Sequence, residues 1–186
     1  MDAPAHAPDP DAEAERLRRA RRGDAVAFEA LYRDHARAVH ALAFRLTGNA
    51  AEAEDIVQET FLRMFGFLSG LREDTPLRPW LKRVAANLAI DRLRRQQRPG
   101  TERALAALAD PASASAADAA DADILLRRLP PLARTVVWLH EMEGWSHEDL
   151  GRRFGRTASW SKSLMSRALA RLRQDLDSDG DASHDA

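Results

Sequence analysis

Apolar side chains recur at helical spacing through the first half of the chain and predict three amphipathic helices. The first is predicted over residues 24–47, with Asp24 as its N-cap. Gly48 is predicted to end this helix, and the second helix is predicted over 49–69 with Asn49 as its N-cap. The apolar side of the second helix is predicted to comprise Ile56, Val57, Phe61, Met64, Phe65 and Leu68. Residues 70–79 contain one glycine and two prolines and are therefore predicted to form a loop. The third helix is predicted over 80–97, directly after a proline, a residue that favours the first turn of a helix.

The hydrophobic pattern is lost between residues 99 and 121 and then returns. The intervening segment is rich in Ala, Ser and Asp, so it predicts a flexible linker. Residues 122–176 again show helical periodicity, and a short helix capped by Ser146, a turn at Gly155 and a longer basic helix form the pattern of a helix-turn-helix. We therefore predict an all-α fold in which two small helical domains are joined by a flexible linker, the second containing the helix-turn-helix.

The predicted organisation starts with a flexible N-terminal extension and ends with an acidic tail. The parts are the extension (1–20), a first helical domain (21–98), the linker (99–121), a second helical domain (122–176) and the tail (177–186). The 186 residues include no cysteine, which excludes disulfides, thiolate metal ligands and a cysteine nucleophile. The sequence shows neither a signal-peptide core nor an apolar run of roughly 18 residues. We expect a cytoplasmic protein without membrane insertion.

Charge is strongly segregated along the chain, although the formal net charge is only −1. Residues 78–98 carry seven basic side chains and one acidic one, and residues 151–173 carry seven basic side chains and no acidic one. A single basic run fits a solvated surface equally well. Two such runs, each within a helical pattern, favour a polyanion such as a nucleic acid as the partner.

The sequence carries no motif of a known catalytic site. His140 and Glu141 are not followed by the second histidine of the H-E-x-x-H zinc pair, and the chain lacks the glycine motifs of serine hydrolases, phosphate loops and dinucleotide-binding folds. His35 and His40 are five residues apart, which places them poorly on one helical face. We therefore predict a protein that is not an enzyme, binds no cofactor and has no metal site.

Two parts of the chain together resemble a known protein family. The first part comprises AEAEDIVQETFLRMF (51–65) and WLKRVAANLAIDRLRR (80–95), and the second comprises RRLPPLARTVVWLHEMEGWSHEDLGRRFG (127–155) and TASWSKSLMSRALARLR (157–173). They resemble the extracytoplasmic-function group of the sigma-70 family, the sigma factors of bacterial RNA polymerase. The resemblance covers residues 20–98 and 122–176. It implies a protein that binds core polymerase, directs it to promoters through −35 and −10 elements and assists promoter melting.

The resemblance implies that the second predicted helix docks on the clamp coiled coil of the largest polymerase subunit. The outward polar side chains of that helix would make the contact: Glu52, Asp55, Gln58 and Glu59. Such an acidic face suits a basic coiled-coil surface, where complementary charge gives steering and register. An ordinary solvated face is the alternative interpretation. The polymerase flap, promoter DNA and an anti-sigma factor are further partners that the family implies.

The resemblance places recognition of the −10 element on the third predicted helix. The candidate residues are Trp80, Arg83, Asn87, Asp91, Arg94, Arg95 and Arg98. Arginines neutralise phosphates, and the amide of Asn87 suits a base edge that is exposed in a melted strand. Trp80 either belongs to the core or stacks on a base. Asp91 either contacts DNA or pairs with Arg94 or Arg95 on its own helix.

The last predicted helix would enter the major groove at the −35 element. The candidate contacts are Arg156, Thr157, Ser159, Trp160, Lys162, Ser163, Ser166 and Arg167. Trp160, Ser161 and Leu164 depart from the family pattern, in which a small residue, a valine and an arginine are usual at these positions. An adaptor that binds polymerase without reading a −35 element therefore stays an alternative. A second alternative is a helix-turn-helix regulator that reads duplex operators without polymerase.

Overall fold

The computed structural model describes residues 10–72, 75–96 and 124–182, with side chains described up to residue 177, and all regular secondary structure in these ranges is helical. The predicted all-α class is confirmed. The first unit (residues 10–96) contains α1 (Pro10–Arg21), α2 (Ala25–Thr47), α3 (Ala50–Phe67), a 3₁₀ turn (Leu68–Gly70) and α4 (Leu77–Gln96). The second unit (residues 124–182) contains a helical stretch at 124–127, then α5 (Pro131–Glu141), α6 (His147–Phe154) and α7 (Ala158–Ala182). The predicted linker at 99–121 lies outside the described residues.

The helix ends of the first unit follow local capping chemistry. The Asp24 side chain accepts hydrogen bonds from the backbone N–H groups of Val26 and Ala27 at the start of α2. Gly48 ends that helix in the left-handed conformation, with a φ of 73°. The Asn49 side chain then accepts a hydrogen bond from the backbone N–H of Glu52 and caps α3. These are the caps and the stop that the sequence pattern predicts.

The N-terminal segment differs from the prediction. We expected a flexible extension over residues 1–20, but α1 begins at Pro10 and packs on the first unit through Leu17, which is almost completely buried. The carboxylate of Glu13 lies 3.0 Å from Nε2 of buried His35 and accepts a hydrogen bond from the backbone N–H of Leu77. One leucine in a charged segment is a weak periodic signal, so the sequence pattern could not reveal these tertiary contacts.

Two helix boundaries also lie beyond the predicted ones. Helix α4 begins at Leu77 rather than at residue 80, with Pro79 inside its first turn, where the missing N–H has no helical acceptor to lose. Helix α7 continues to Ala182, into the predicted acidic tail, whereas we expected it to end at about Leu176. The aspartates after Leu176 oppose the helix dipole, but this effect is worth only about 0.3–1 kcal/mol. No helix in the described ranges is long and apolar enough to cross a bilayer.

The two units share one hydrophobic core. Val136 and Leu139 of α5 are fully buried in the same cluster as Leu42 and Leu46 of α2. A smaller cluster lies within the second unit, where Ala168 of α7 packs under α5. The described parts of the two units are therefore in direct contact. The sequence pattern, which separates them by the segment 99–121, did not predict this.

Candidate protein and nucleic-acid interfaces

An exposed stripe runs along α3 on the side away from the core. It consists of Asp55, Gln58, Leu62 and Phe65, whose spacing of three, four and three residues places them on one helical face. Leu62 and Phe65 are 66% and 64% exposed, so two large apolar side chains face outward here. The sequence pattern assigned Phe65 to the apolar side of the helix, and that assignment was wrong. We call these four residues the α3 stripe.

The predicted polymerase-binding residues on α3 differ in how far they are already engaged. The Glu52 side chain accepts a hydrogen bond of 2.9 Å from the Gln96 amide, and Glu59 pairs with Arg63 one turn along. Asp55 is 67% exposed and lies 3.7 Å from Arg92, a distance too long for a direct hydrogen bond. Asp55 is therefore the carboxylate of the α3 stripe that a partner can reach with the least rearrangement.

A groove of about 340 Å³ runs beside the α3 stripe between α2 and α3. Its lining combines apolar, acidic and basic side chains: Tyr32, Ala36, Arg37, His40, Glu54, Val57 and Gln58. Gln58 belongs to both the groove and the stripe. Tyr32, Arg37, His40 and Glu54 are not among the residues predicted from the sequence, because only the tertiary packing of α2 on α3 brings them next to the predicted residues.

The predicted −10 residues of α4 lie along its surface, but their exposure is uneven. Arg83, Arg94 and Arg95 are exposed, whereas Asn87 and Asp91 are half-buried. Burial at the middle of the helix comes from the second unit, which contacts this face. Asp91 was predicted to contact DNA or to pair with Arg94 or Arg95 on its own helix. Its carboxylate instead lies 3.2 Å from the guanidinium of Arg153 of α6. Arg98 lies outside the described residues.

A cleft of about 350 Å³ opens at the start of α4. Trp80 forms one wall, and its ring stacks on Phe67 with a centroid distance of 6.3 Å and an interplanar angle of 4°. Trp80 is half-buried, so it packs on the first unit and also presents a surface to the cleft. The opposite wall contains Glu143 and Trp145 of the second unit.

The helix-turn-helix pattern predicted in the second unit is present as α6, a tight turn and α7. The Ser146 side chain accepts a hydrogen bond of 3.0 Å from the backbone N–H of Asp149 and caps α6. Gly155 ends α6 with a φ of 67°, and the backbone N–H of Arg156 donates to the Gly151 carbonyl oxygen over 2.7 Å. The Thr157 hydroxyl accepts from the backbone N–H of Trp160 and caps α7.

Gly151 allows α6 to approach the start of α7 more closely than any other residue would. A Cβ atom at this position would lie 2.6 Å from the carbonyl carbon of Thr157 and 2.8 Å from the backbone nitrogen of Ala158. Both are backbone atoms, so the clash can be relieved only by separating the two helices. The geometry of the corner therefore depends on the absence of a side chain at this residue.

We expect Gly151→Ala to destabilise the protein by about 2 kcal/mol, as forced overpacking at a rigid site does. Gly66→Ala is the matched control, because Gly66 lies within α3 and nothing lies within 4 Å of a Cβ atom built there. The control should stabilise by about 0.5 kcal/mol through helix propensity. Urea unfolding followed by circular dichroism measures both free energies of unfolding. Equal effects of the two substitutions would contradict the close approach.

Most of the predicted −35 residues form an exposed face on α7 and the turn before it. Seven are exposed, namely Arg156, Thr157, Ser159, Lys162, Ser163, Ser166 and Arg167. Trp160 is half-buried and packs on Phe154 of α6, with ring centroids 5.3 Å apart. The exposed set carries three basic side chains, which suit phosphates or guanine edges in a major groove.

The residues that depart from the family pattern all lie toward the packed side of α7. Ser161 is fully buried, and its hydroxyl lies 3.1 Å from Nδ1 of His147. The His147 ring stacks on His140 with a centroid distance of 4.1 Å, and burial, assisted by that neighbouring ring, lowers the pKa of His147. Leu164 is half-buried and packs against the apolar core. Ser161 is thus a satisfied polar residue within the core of the second unit.

No group of three or more His, Asp or Glu side chains that could hold a metal ion is found in residues 10–72, 75–96 and 124–182. The exposed residues of these ranges instead form surfaces that can bind a protein or a nucleic acid. An exposed stripe with carboxylate and apolar side chains lies on α3, and basic surfaces lie on α4 and α7.

Two family models match the chain, and together they cover most of it. The model described as Sigma-70 region 2 matches residues 31–99, and the model described as Sigma-70, region 4, matches residues 123–172. The first match spans most of α2 and all of α3 and α4. The second spans α5, α6 and the part of α7 that carries the exposed basic face.

Two similar proteins are named as sigma factors. The chain is 34% identical over 166 residues to RNA polymerase sigma factor CarQ of Myxococcus xanthus, covering 85% of this chain and 94% of CarQ. It is 35% identical over 159 residues to ECF RNA polymerase sigma factor SigE of Mycolicibacterium smegmatis, covering 80% of this chain and 61% of SigE.

Two solved structures are similar at 25% sequence identity. One is the sigma factor RpoE in complex with the anti-sigma factor NepR from Bartonella quintana, with a TM-score of 0.51 over 76% of this chain and 91% of that one. The other is CnrH in complex with the cytosolic domain of CnrY, with a TM-score of 0.52 over 91% of this chain and 99% of that one.

Proposed function

The chain belongs to the extracytoplasmic-function group of the sigma-70 family, and we propose from its geometry how its surfaces divide the work at a promoter. It is a sigma factor that directs RNA polymerase to promoters. In the proposed division, the α3 stripe attaches the chain to core polymerase, α7 reads the −35 element, and α4 with its cleft holds the melted −10 strand.

The observation that carries this proposal is that three surfaces, one acidic and apolar and two basic, lie on three different helices. The α3 stripe is acidic and apolar and carries no basic side chain, while α4 and α7 present arginines and lysines. A protein that only bound DNA would need no exposed Leu62 and Phe65, because exposed apolar patches indicate a protein partner. The partner of the α3 stripe is therefore a protein, and the partner of α4 and α7 is a polyanion.

We propose the clamp coiled coil of the largest polymerase subunit as the partner of the α3 stripe. Asp55 supplies charge complementarity to a basic helical surface, and Leu62 and Phe65 supply apolar area that becomes buried. Phe65 is held by an edge-to-face contact with Phe28, with ring centroids 5.5 Å apart, so it is oriented before binding. The polymerase flap is the proposed partner of the second unit.

Reading of the −35 element is favoured over the adaptor alternative by where the departures from the family pattern lie. Ser161 is buried, and Trp160 and Leu164 are half-buried, so these substitutions alter the packing of α7. The outward side chains Lys162, Ser163 and Arg167 are exposed and available to DNA. We therefore propose that the chain retains −35 recognition, with Trp160 as a packing residue rather than a base contact.

The proposal assigns no catalytic step to this chain, because the polymerase makes the phosphodiester bonds. Action on core polymerase and promoter DNA places the proposed site of function in the cytoplasm. We also propose an anti-sigma protein as a regulatory partner, since the similar structures of RpoE and CnrH are complexes with NepR and CnrY. A regulator that reads operators without polymerase does not fit, because the Sigma-70 region 2 match covers α3 and α4.

Run-off transcription tests this function directly. Purified core polymerase is incubated with a genomic promoter library, with and without the full chain and with no inhibitor present. We expect discrete transcripts only when the chain is added. Absence of transcripts, with circular dichroism showing intact helices and with no binding to core polymerase, would overturn the proposal.

A further inference from the structure

We infer that Glu13 of α1 is a positioning residue for promoter melting, because it holds the first turn of α4 beside the cleft that receives the unpaired strand. The inference rests on the proposed function, in which α4 and this cleft hold the melted −10 strand. Glu13 lies outside both the predicted −10 residues and the Sigma-70 region 2 match, which begins at residue 31. Helix α1 therefore acts on the strand through α4.

The first turn of α4 has no N-cap side chain of its own. Helix α4 begins at Leu77, directly after Pro76, whose side chain has no oxygen that could accept a hydrogen bond as the side chains of Ser, Thr, Asp and Asn do. The first N–H groups of a helix have no acceptor within it. Leu77 is completely buried, so its N–H cannot turn to solvent for a partner. This N–H therefore needs an acceptor from another part of the chain.

Glu13 supplies that acceptor from 64 positions earlier in the chain. The backbone N–H of Leu77 donates a hydrogen bond of 3.3 Å to Oε1 of Glu13, whose side chain is 16% exposed. A carboxylate at this place also interacts favourably with the positive end of the α4 dipole. Glu13 thus serves α4 from a different helix, much as Asp24 caps α2 locally.

A second contact fixes the position of the Glu13 carboxylate. Its Oε2 atom lies 3.0 Å from Nε2 of His35 of α2, a side chain that is 1% exposed. Burial lowers the pKa of His35, so the ring is uncharged at neutral pH and the contact does not depend on a full ion pair. Both oxygens of Glu13 are thus engaged with other helices, and α1, α2 and α4 meet at this carboxylate.

The turn that Glu13 holds forms one wall of the cleft proposed for the strand. Residues on both sides of Leu77 line this wall, namely Thr75, Pro76, Pro79 and Trp80. The backbone N–H of Trp80 donates a hydrogen bond of 3.3 Å to the carbonyl oxygen of Pro76, so the wall is one helical turn built around Leu77. A displacement of this turn therefore moves the Trp80 ring together with the wall.

A wall that is held before the strand arrives lowers the entropy cost of binding it. Loss of the Glu13 contacts transfers that cost to the strand, so strand capture becomes weaker. The α3 stripe and the exposed face of α7 lie on other helices and make no contact with Glu13. Binding to core polymerase and to a −35 duplex should therefore be unaffected, and this separates a positioning role from a general loss of structure.

The test compares the wild-type full chain with three substitutions of Glu13. Glu13→Ala removes both contacts, and Glu13→Met removes them while it keeps the length of the side chain. Glu13→Gln keeps an oxygen that accepts from the Leu77 N–H and should rescue the role. Arg16→Ala is the matched control, because Arg16 lies one turn along α1 and pairs with Asp34 of α2 without contacting α4. Circular dichroism checks that every variant is folded.

Amide hydrogen exchange at Leu77, measured by NMR on the free chain, reports the contact without any DNA. We expect Glu13→Ala and Glu13→Met to speed this exchange by about fivefold, which corresponds to about 1 kcal/mol, the usual worth of an N-cap. Glu13→Gln and Arg16→Ala should stay within about twofold of wild type. Wild-type exchange at Leu77 in folded Glu13→Ala and Glu13→Met would overturn the inference.

Permanganate footprinting of the holoenzyme, at a promoter recovered by run-off transcription, reports melting. We expect Glu13→Ala and Glu13→Met to lower it by about threefold to fivefold, and Glu13→Gln to restore it to within about twofold of wild type. Binding to core polymerase and to a −35 duplex should change by less than about twofold in every variant.

Two results of the holoenzyme measurements would also overturn the inference. One is wild-type melting in Glu13→Ala while the wild-type holoenzyme transcribes. The other is a loss of core binding and duplex binding equal to the loss of melting, because that pattern indicates a merely structural role. Absence of transcripts with the wild-type chain would count against the proposed function instead, and the exchange rate at Leu77 would still decide whether Glu13 holds α4.

Discussion

Replacing Asp55 with arginine is expected to weaken binding of the chain to core polymerase by about 100-fold or more. Asp55 is 67% exposed at the N-terminal end of the α3 stripe, and the substitution would set a positive charge against the basic surface proposed for the partner. A like charge at an interface costs several kcal/mol, and about 2.7 kcal/mol corresponds to a factor of 100 in Kd. Titration of labelled chain with core polymerase, followed by anisotropy, measures the effect.

The fold should tolerate Asp55→Arg, because Asp55 is 67% exposed and its 3.7 Å contact with Arg92 is too long for a direct hydrogen bond. Asp177→Arg is the matched control, since it makes the same charge change at an exposed residue of α7. The control should bind core polymerase within about twofold of wild type. Similar Kd values for Asp55→Arg and the control would mean that the α3 stripe is an ordinary solvated surface.

Replacing Asn87 with alanine is expected to lower open-complex formation by about tenfold or more at a promoter recovered by run-off transcription. An asparagine amide that pairs with a base edge contributes about 1–3 kcal/mol of discrimination, and an alanine cannot replace it. The substitution should leave the packing of α6 on α4 intact, because Arg153 contacts the backbone carbonyl oxygen of Asn87 and not its side chain. Permanganate footprinting of unpaired thymines by the holoenzyme measures melting.

Lys162→Ala is the comparison for Asn87→Ala, because it is expected to affect duplex binding whereas Asn87→Ala is expected to affect melting. Lys162 is exposed on α7, so its loss should weaken holoenzyme binding to the −35 duplex, and Asn87→Ala should leave that binding unchanged. A mobility-shift assay on a duplex that ends upstream of the −10 element separates the two steps. Loss of duplex binding in Asn87→Ala equal to its loss of melting would remove the strand-capturing role.

Local sequence chemistry predicted most of the helices and their ends. Asp24, Asn49 and Ser146 were predicted as N-caps and are N-caps in the structure, and Gly155 makes the predicted turn before α7. Capping depends on residues within one helical turn, so a linear pattern contains the necessary information. The weak periodicity of α1 shows the limit, since Leu17 alone carries most of its apolar contact.

Some site residues were predicted from the sequence, and others could be placed only by the tertiary structure. Exposure of Asp55 and Lys162 followed from helical spacing, because an amphipathic helix turns its polar side outward wherever it packs. The outward position of Phe65 did not follow, since which side chains a helix buries depends on the neighbours that cover it. Ser161, a departure from the family pattern, gains its explanation only from the His147 ring beside it.

The sequence by itself determined the helical class, the caps, the helix-turn-helix corner and the family, because each rests on residues close together in the chain or on motifs of fixed spacing. Only the tertiary structure decided that the second unit lies on α4 and engages Asp91 and Arg94 there. That contact joins residues 59 and 62 positions apart. Its stability depends on the fit of two complete surfaces, which no local pattern encodes.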